Sequence, residues 1–201
     1  MKLFIDSKNI VIDASTFVDK LSPFINYGDI LYIEIDIMKF GKLYNSKITK
    51  GELLQTFYEI FRDLVGYKGH ICFPSFSYSW GFENTEKIFD KINTQGKVGV
   101  FPEFLRSKKE TFRTKDPMFS VIINGPNAED IAKIQKSSFG ENSFFHKIHQ
   151  LNGKLITFGL NQYDPTFVHY IEEFYDKNFN KIKYRNLKKF EGFYIENGIK
   201  S

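Results

Sequence analysis

A histidine and a carboxylate lie one helical turn apart near the end of the chain. Asp164 is a favoured N-cap and Pro165 a favoured first helical residue, so the sequence predicts a helix from Pro165 to about residue 176. At about 100° per residue, His169 and Glu172 share the polar face of this helix. A carboxylate at this spacing can hydrogen-bond the imidazole and raise its basicity, as a general base requires. The alternative is a polar helix face in water.

The opposite face of the same helix is apolar. We expect it to pack on the core through Phe167, Val168, Ile171, Phe174 and Tyr175. That packing would fix the direction in which the histidine points.

A second group of candidates follows the short apolar run Ile71–Phe73. Ser75, Phe76 and Ser77 begin a segment in which hydroxyls alternate with aromatic rings. Ligands of α/β sheets bind beyond the carboxyl ends of strands, so this segment could line a pocket. The alternative is a loop that packs its rings and hydrates its serines.

Basic residues form a third group. Five of the ten residues from Arg106 to Lys115 are Lys or Arg. Guanidinium and ammonium groups pair strongly with phosphate, so the run suits a phosphate-bearing ligand. The sequence has no Gly-Lys-Ser/Thr phosphate loop. A solvated charge run is the alternative.

Other chemistry is disfavoured by composition. Cys72, the single cysteine, lies in an apolar run where a thiol is normally inert, and His146 and His149 lack partners at a zinc spacing. The net charge of +4 does not suggest a nucleic-acid-binding protein. The N-terminus has no signal-peptide core and no apolar stretch is long enough to span a bilayer, so we expect a cytoplasmic protein that does not bind membranes.

The elements that would position these residues alternate along the chain. We expect strands over residues 30–36, 71–73, 119–123 and 155–158, and helices over residues 50–65, 128–134, 143–151 and 165–176. The long segment 75–119 is expected to hold short helices near residues 86–90 and 99–106. Alternation of strands and helices predicts a layered α/β domain.

Several short motifs, each weak alone, occur in a fixed order. The sequence carries Gly28-Asp29-Ile30-Leu31, Pro74-Ser75-Phe76-Ser77, Phe89-Asp90-x-x-Asn93-Thr94, Glu103-x-x-Arg106, Arg113-Thr114-x-x-Pro117-x-x-Ser120-Val121 and Thr166-x-x-His169-x-x-Glu172. Their order and spacing resemble the antibiotic N-acetyltransferase family, typified by the aminoglycoside 3-N-acetyltransferases.

The resemblance implies a single α/β/α-layered domain over residues 1–201, with a central mixed sheet and distinct from the GNAT acetyltransferases. It implies acetyl-CoA as the donor and an amine of an aminoglycoside-like or amino-sugar molecule as the acceptor. It also implies direct attack with His169 as the base, oriented by Glu172. The residues that it implies along CoA are Ser75, Phe76, Ser77, Arg106, Arg113 and Thr114.

The sequence departs from the family pattern at identifiable positions. Glu34-Ile35-Asp36-Ile37 stands where the family carries His-Ser-Ser-Leu, and Asp116 replaces a histidine before Pro117. The match also implies a C-terminally short member. The sequence therefore predicts an N-acetyltransferase or, as the alternative, a catalytically impaired relative that binds CoA or a sugar or is vestigial. The oligomeric state stays open, with a homodimer among the options.

Overall fold

A computed structural model describes residues 1–81, 86–134, 137–160, 165–179, 190–196 and 198–201. The strands are β1 Lys2–Ile5, β2 Val11–Asp13, β3 Ile30–Ile35, β4 Lys42–Leu43, β5 His70–Pro74, β6 Ile88–Asp90, β7 Thr111–Arg113, β8 Val121–Asn124, β9 Lys154–Phe158, β10 Phe193–Glu196 and β11 Ile199–Lys200. The helices are α1 Ala14–Leu21, α2 Lys50–Val65, α3 Phe101–Leu105, α4 Ala128–Ala132, α5 Phe144–Gln150 and α6 Val168–Phe179. None of these helices has the length and apolar character needed to cross a bilayer.

Five strands form the central sheet, in the order β7-β8-β5-β3-β9. β3 runs parallel to both of its neighbours, β5 and β9, whereas β8 runs antiparallel to β5 and β7. In this register Leu31 lies opposite Ile71 on one side and Lys154 on the other. The mixed sheet expected from the resemblance is confirmed. The carboxyl ends of β3, β5 and β9 meet at one edge, where α/β proteins bind ligands.

The side chains of β3 alternate between two hydrophobic clusters because neighbouring residues of a strand point to opposite faces. Leu31 and Ile33 belong to a cluster that contains Phe57 of α2. Tyr32 belongs to a second cluster, where its ring contacts Phe144 of α5 at 5.6 Å between centroids. Helices therefore cover both faces of the sheet, as the predicted α/β/α layering requires.

Helix α2 has the bounds that its periodicity predicts. The Thr49 hydroxyl accepts a hydrogen bond from the Glu52 amide at 3.2 Å, and the Glu52 carboxylate accepts one from the Thr49 amide at 2.8 Å. This capping box satisfies amides that lack partners inside the helix. Gly66 ends the helix with φ +66°, and a Cβ there would lie 1.9 Å from the Tyr27 ring, so glycine is required.

The helix expected near residues 86–90 is wrong. Residues 88–90 form strand β6, which pairs in parallel with β10 in a small sheet ordered β11-β10-β6. Phe89 lies opposite Tyr194 and is fully buried. The pairing joins segments about a hundred residues apart, so local periodicity gave no sign of it. A second small sheet, β2-β1-β4, also escaped the sequence analysis.

Candidate active site

The expected contact between His169 and Glu172 is present on α6. His169 Nδ1 lies 3.3 Å from Glu172 Oε2, and both side chains are about one-third exposed. A hydrogen on Nδ1 donated to Glu172 leaves the lone pair on Nε2, where it can accept a proton. The Phe139 ring meets the imidazole edge-on at 5.3 Å between centroids. The histidine is therefore oriented from two sides and still reachable by solvent.

Helix α6 is fixed to α5 by a residue that the sequence analysis did not single out. Tyr170 is buried, and its hydroxyl lies 2.6 Å from His149 Nδ1. Its ring also packs on Phe167 at 5.2 Å between centroids. Anchoring Tyr170 fixes the rotation of the helix and hence the direction of the neighbouring His169 side chain.

The apolar face predicted for α6 is only partly correct. Ile171, Phe174 and Tyr175 keep about two-fifths of their surface exposed, whereas Phe167 packs against the core. The helix begins at Val168, after a turn in which Val168 N donates to Pro165 O at 2.8 Å. The helix is therefore seated through Tyr170 rather than through its full apolar face. Asp164, the expected N-cap, lies outside the described residues.

The predicted pocket residues after β5 are built into the protein interior. Ser77 Oγ lies 2.7 Å from Ser79 Oγ and 2.9 Å from Pro117 O. Ser75 is fully buried, and its Oγ has no hydrogen-bond partner among the residues that the structure describes. Phe76 is also buried and contacts the Phe119 ring. These three side chains are therefore part of the packed interior at the end of β5.

A row of aromatic rings connects this segment to His169. Phe76 and Tyr78 both pack on Phe119, at 5.2 and 5.6 Å between ring centroids. Phe119 contacts Phe139 at 4.7 Å, and Phe139 contacts the His169 imidazole. The structure therefore brings the Ser75–Ser77 segment and His169 into one continuous region. Phe139 had no periodic or motif signal that could have identified it.

The two arginines expected at CoA phosphates converge on one backbone carbonyl. Arg106 and Arg113 both donate to Thr94 O. Arg113 also donates to Ser75 O at 2.8 Å and Ser120 Oγ at 3.1 Å, and it is only 5% exposed. Burial lowers the pKa of Arg113 to about 10, so it remains a cation at neutral pH. Arg113 thus connects the loop that contains Thr94 to the end of β5 through hydrogen bonds.

Arg106 and Thr114 differ in how accessible they are. The Arg106 side chain is 21% exposed and pairs with Glu103 at 2.8 Å. Thr114 is fully buried, and its hydroxyl accepts a hydrogen bond from Val121 N at 2.9 Å. Only Arg106 of this pair offers a charged group to a ligand.

The residues at the departure from the family pattern also have defined partners. The Glu34 carboxylate accepts a hydrogen bond from Thr166 N at 3.0 Å and is buried at 7% exposure. Asp36 accepts one from Met38 N at 3.1 Å and so caps the 3-10 helix Ile37–Lys39. The acid at position 34 therefore faces the start of α6.

The remaining histidine and cysteine candidates are structural. His146 Nδ1 accepts a hydrogen bond from Asn142 N at 2.8 Å, and His149 meets Tyr170. Burial raises the pKa of the Cys72 thiol far above its ordinary value, so it stays protonated. Within the described ranges no three His, Cys, Asp or Glu side chains cluster as metal ligands would.

Comparison with known proteins decides the family. A sequence model described as aminoglycoside 3-N-acetyltransferase matches residues 37–198. The chain belongs to this family. No curated protein matches the sequence. The family match includes the His169–Glu172 pair and every residue expected along CoA.

Solved structures of aminoglycoside 3-N-acetyltransferases share the fold. AAC-IIIb in a binary complex with CoASH has a TM-score of 0.65 and 22% identity, over 80% of this chain and 64% of that one. AAC-VIa bound to sisomicin has a TM-score of 0.71 and 18% identity, over 94% and 73%. YokD from Bacillus subtilis has a TM-score of 0.73 and 17% identity, over 94% and 78%. The chain thus spans less than two thirds of AAC-IIIb.

Proposed function

We propose that this protein transfers an acetyl group from acetyl-CoA to an amine of an aminoglycoside-like or amino-sugar acceptor. The observation that carries the proposal is the hydrogen-bonded His169–Glu172 pair, with both side chains about one-third exposed, in a chain that belongs to this family. Two neighbours in fold support it, because one is described with CoASH and another with sisomicin.

The proposed reaction is a direct transfer. The acceptor nitrogen attacks the thioester carbonyl carbon, a C–N bond forms and the C–S bond breaks. His169 Nε2 takes the proton that the nitrogen loses, and that proton ends on the departing sulfur, so the products are an amide and a thiol. Glu172 holds the imidazole in the tautomer that can accept this proton and stabilises the imidazolium that forms. No acyl-enzyme is required.

For acetyl-CoA, the residues expected at the site fit in two ways. We propose that Arg106 contacts a phosphate, because its guanidinium is partly exposed and phosphate pairs strongly with Arg. The other five side chains are buried, and we propose that they hold in place the backbone segments along which acetyl-CoA binds. They are Ser75, Phe76, Ser77, Arg113 and Thr114. We propose that acetyl-CoA lies along the aromatic row that runs from Phe76 through Phe119 and Phe139 to His169.

A second candidate function is binding of CoA or a sugar without transfer. It is favoured by one observation: the sequence carries Glu34-Ile35-Asp36-Ile37 where the family carries His-Ser-Ser-Leu. The two candidates make opposite predictions for turnover and the same prediction for binding.

Thermal unfolding with acetyl-CoA, combined with a thiol-release assay, tests the two candidate functions. A ligand at a hundred times its Kd stabilises the folded state by about 2.7 kcal/mol, so saturating acetyl-CoA should raise the melting temperature. ATP at equal concentration is the control, because it carries adenine and phosphates without the thioester arm. A shift with acetyl-CoA together with amine-dependent thiol release supports transfer. A shift without release supports CoA binding alone, and no shift contradicts both transfer and CoA binding.

A further inference from the structure

Glu34 is a buried acid in an otherwise apolar layer. It follows Tyr32 by two residues on β3, so both side chains point toward the face of the sheet that α5 covers. Only 7% of Glu34 is exposed. A buried carboxylate is costly unless donors compensate for its lost hydration, so its partners should reveal its role.

One partner is an amide in the turn that precedes α6. Glu34 Oε1 accepts a hydrogen bond from Thr166 N at 3.0 Å. The carbonyl of the same Thr166 accepts a hydrogen bond from His169 N at 3.2 Å. Thr166 lies in the turn that precedes α6, where a carboxylate is close to the partial positive charge of the helix N-terminus. Thr166 therefore links Glu34 directly to the backbone of His169.

The carboxylate also acts on neighbouring hydroxyls. Burial raises the pKa of Tyr32 well above its ordinary value, and the nearby Glu34 charge raises it further. The same two causes, in the same order, raise the pKa of Tyr78. Both phenols therefore stay protonated beside the acid. Glu34 is thus placed between the end of β3, the β5 loop and the start of α6.

We propose that Glu34 is a positioning residue for His169, holding the turn that precedes α6 at the carboxyl end of β3. It does not touch the reacting atoms. The inference rests on the proposed function only in taking His169 as the base. It also assigns a role to Glu34 within the Glu34-Ile35-Asp36-Ile37 departure from the family's His-Ser-Ser-Leu, because its carboxylate accepts a hydrogen bond from Thr166 N.

Solvent-exchange NMR of the Thr166 and His169 amides tests the contact without any activity. Losing a charge-assisted hydrogen bond of about 1.5 kcal/mol should speed exchange about tenfold at both positions in Glu34→Ala. Glu34→Gln keeps an acceptor without the charge, so we expect about a threefold increase there. Asp36→Asn is the matched control and should leave both amides unchanged. The Leu31 amide in the central sheet should not respond in any variant.

Two results would overturn the proposal. One is unchanged exchange at both amides in Glu34→Ala. The other is an equal increase at Leu31, which would mean a general loss of stability. If the alanine variant does not fold, Glu34→Gln decides by the same two criteria.

Kinetics supply the second arm of the test. Misplacing a catalytic group by about 1 Å can cost about a hundredfold in rate, so Glu34→Ala should lower kcat at least tenfold. Its KM for acetyl-CoA should stay within about twofold of the wild-type value, because Glu34 does not contribute to binding of the substrate in its ground state. A rise in KM with unchanged kcat would contradict a positioning role. If the wild type acetylates no amine, the proposed function fails, and the exchange experiment still decides the role of Glu34.

Discussion

Replacing Arg113 with alanine tests whether this cation is structural. Its guanidinium makes three hydrogen bonds, to Thr94 O, Ser75 O and Ser120 Oγ. At about 1.5–3 kcal/mol each, these sum to roughly 5–9 kcal/mol. Thr94 O keeps Arg106 as a donor, and Ser75 O keeps the Ser120 hydroxyl at 2.6 Å, so part of this energy is retained. We therefore expect a loss of about 3–5 kcal/mol, typical of a broken buried charge network.

Urea unfolding of two matched variants measures this loss. Arg106→Ala removes a partly exposed guanidinium that donates to the same Thr94 carbonyl, and it should cost about 1 kcal/mol or less. Arg113→Ala should lower the urea midpoint several times more, with an unchanged m-value. An equal or smaller loss for Arg113→Ala would refute the structural role of Arg113 and favour a role at the ligand instead.

Two further predictions concern other elements. Tyr170→Phe removes the hydroxyl that meets His149 at 2.6 Å, so it should cost about 1 kcal/mol in urea unfolding, and an unchanged midpoint would contradict the anchoring of α6. Asp13 caps α1, and hydrogen bonds from Thr16 N, first of all, and from the Ser15 and Thr16 hydroxyls lower its pKa from 3.8 to about 2. Because the folded pKa is lowered, its contribution is present above about pH 4 and is lost as pH falls through about 2. The stability difference between wild type and Asp13→Asn should shrink over that range, and parallel acid titrations of the two would contradict this.

Local signals predicted much of the fold correctly. The spacing of apolar residues predicted a helix over residues 50–65 that ends at Gly66, and α2 has these bounds. The i to i+3 spacing of His169 and Glu172 likewise placed two candidate side chains in contact, because that spacing is a property of any helix.

Tertiary contacts decided what the sequence could not. β6 is a strand because a segment far along the chain pairs with it, and residues 88–90 alone carry no sign of that partner. Arg113 reads as a surface cation in a basic run, yet the fold turns it inward to buried carbonyl and hydroxyl groups. Glu34 reads as a departure from a motif, and its partner Thr166 is distant in sequence.

Amine-dependent release of CoA thiol from acetyl-CoA tests the central claim most directly. Wild type should release thiol with at least one amine of a panel that includes sisomicin. His169→Ala should lower kcat by about a hundredfold or more, as expected when a general base is lost, and should keep the thermal shift with acetyl-CoA. His146 lies on α5 and accepts a hydrogen bond from Asn142 N, so His146→Ala is the matched control and should retain turnover. Equal turnover in wild type and His169→Ala would contradict the account.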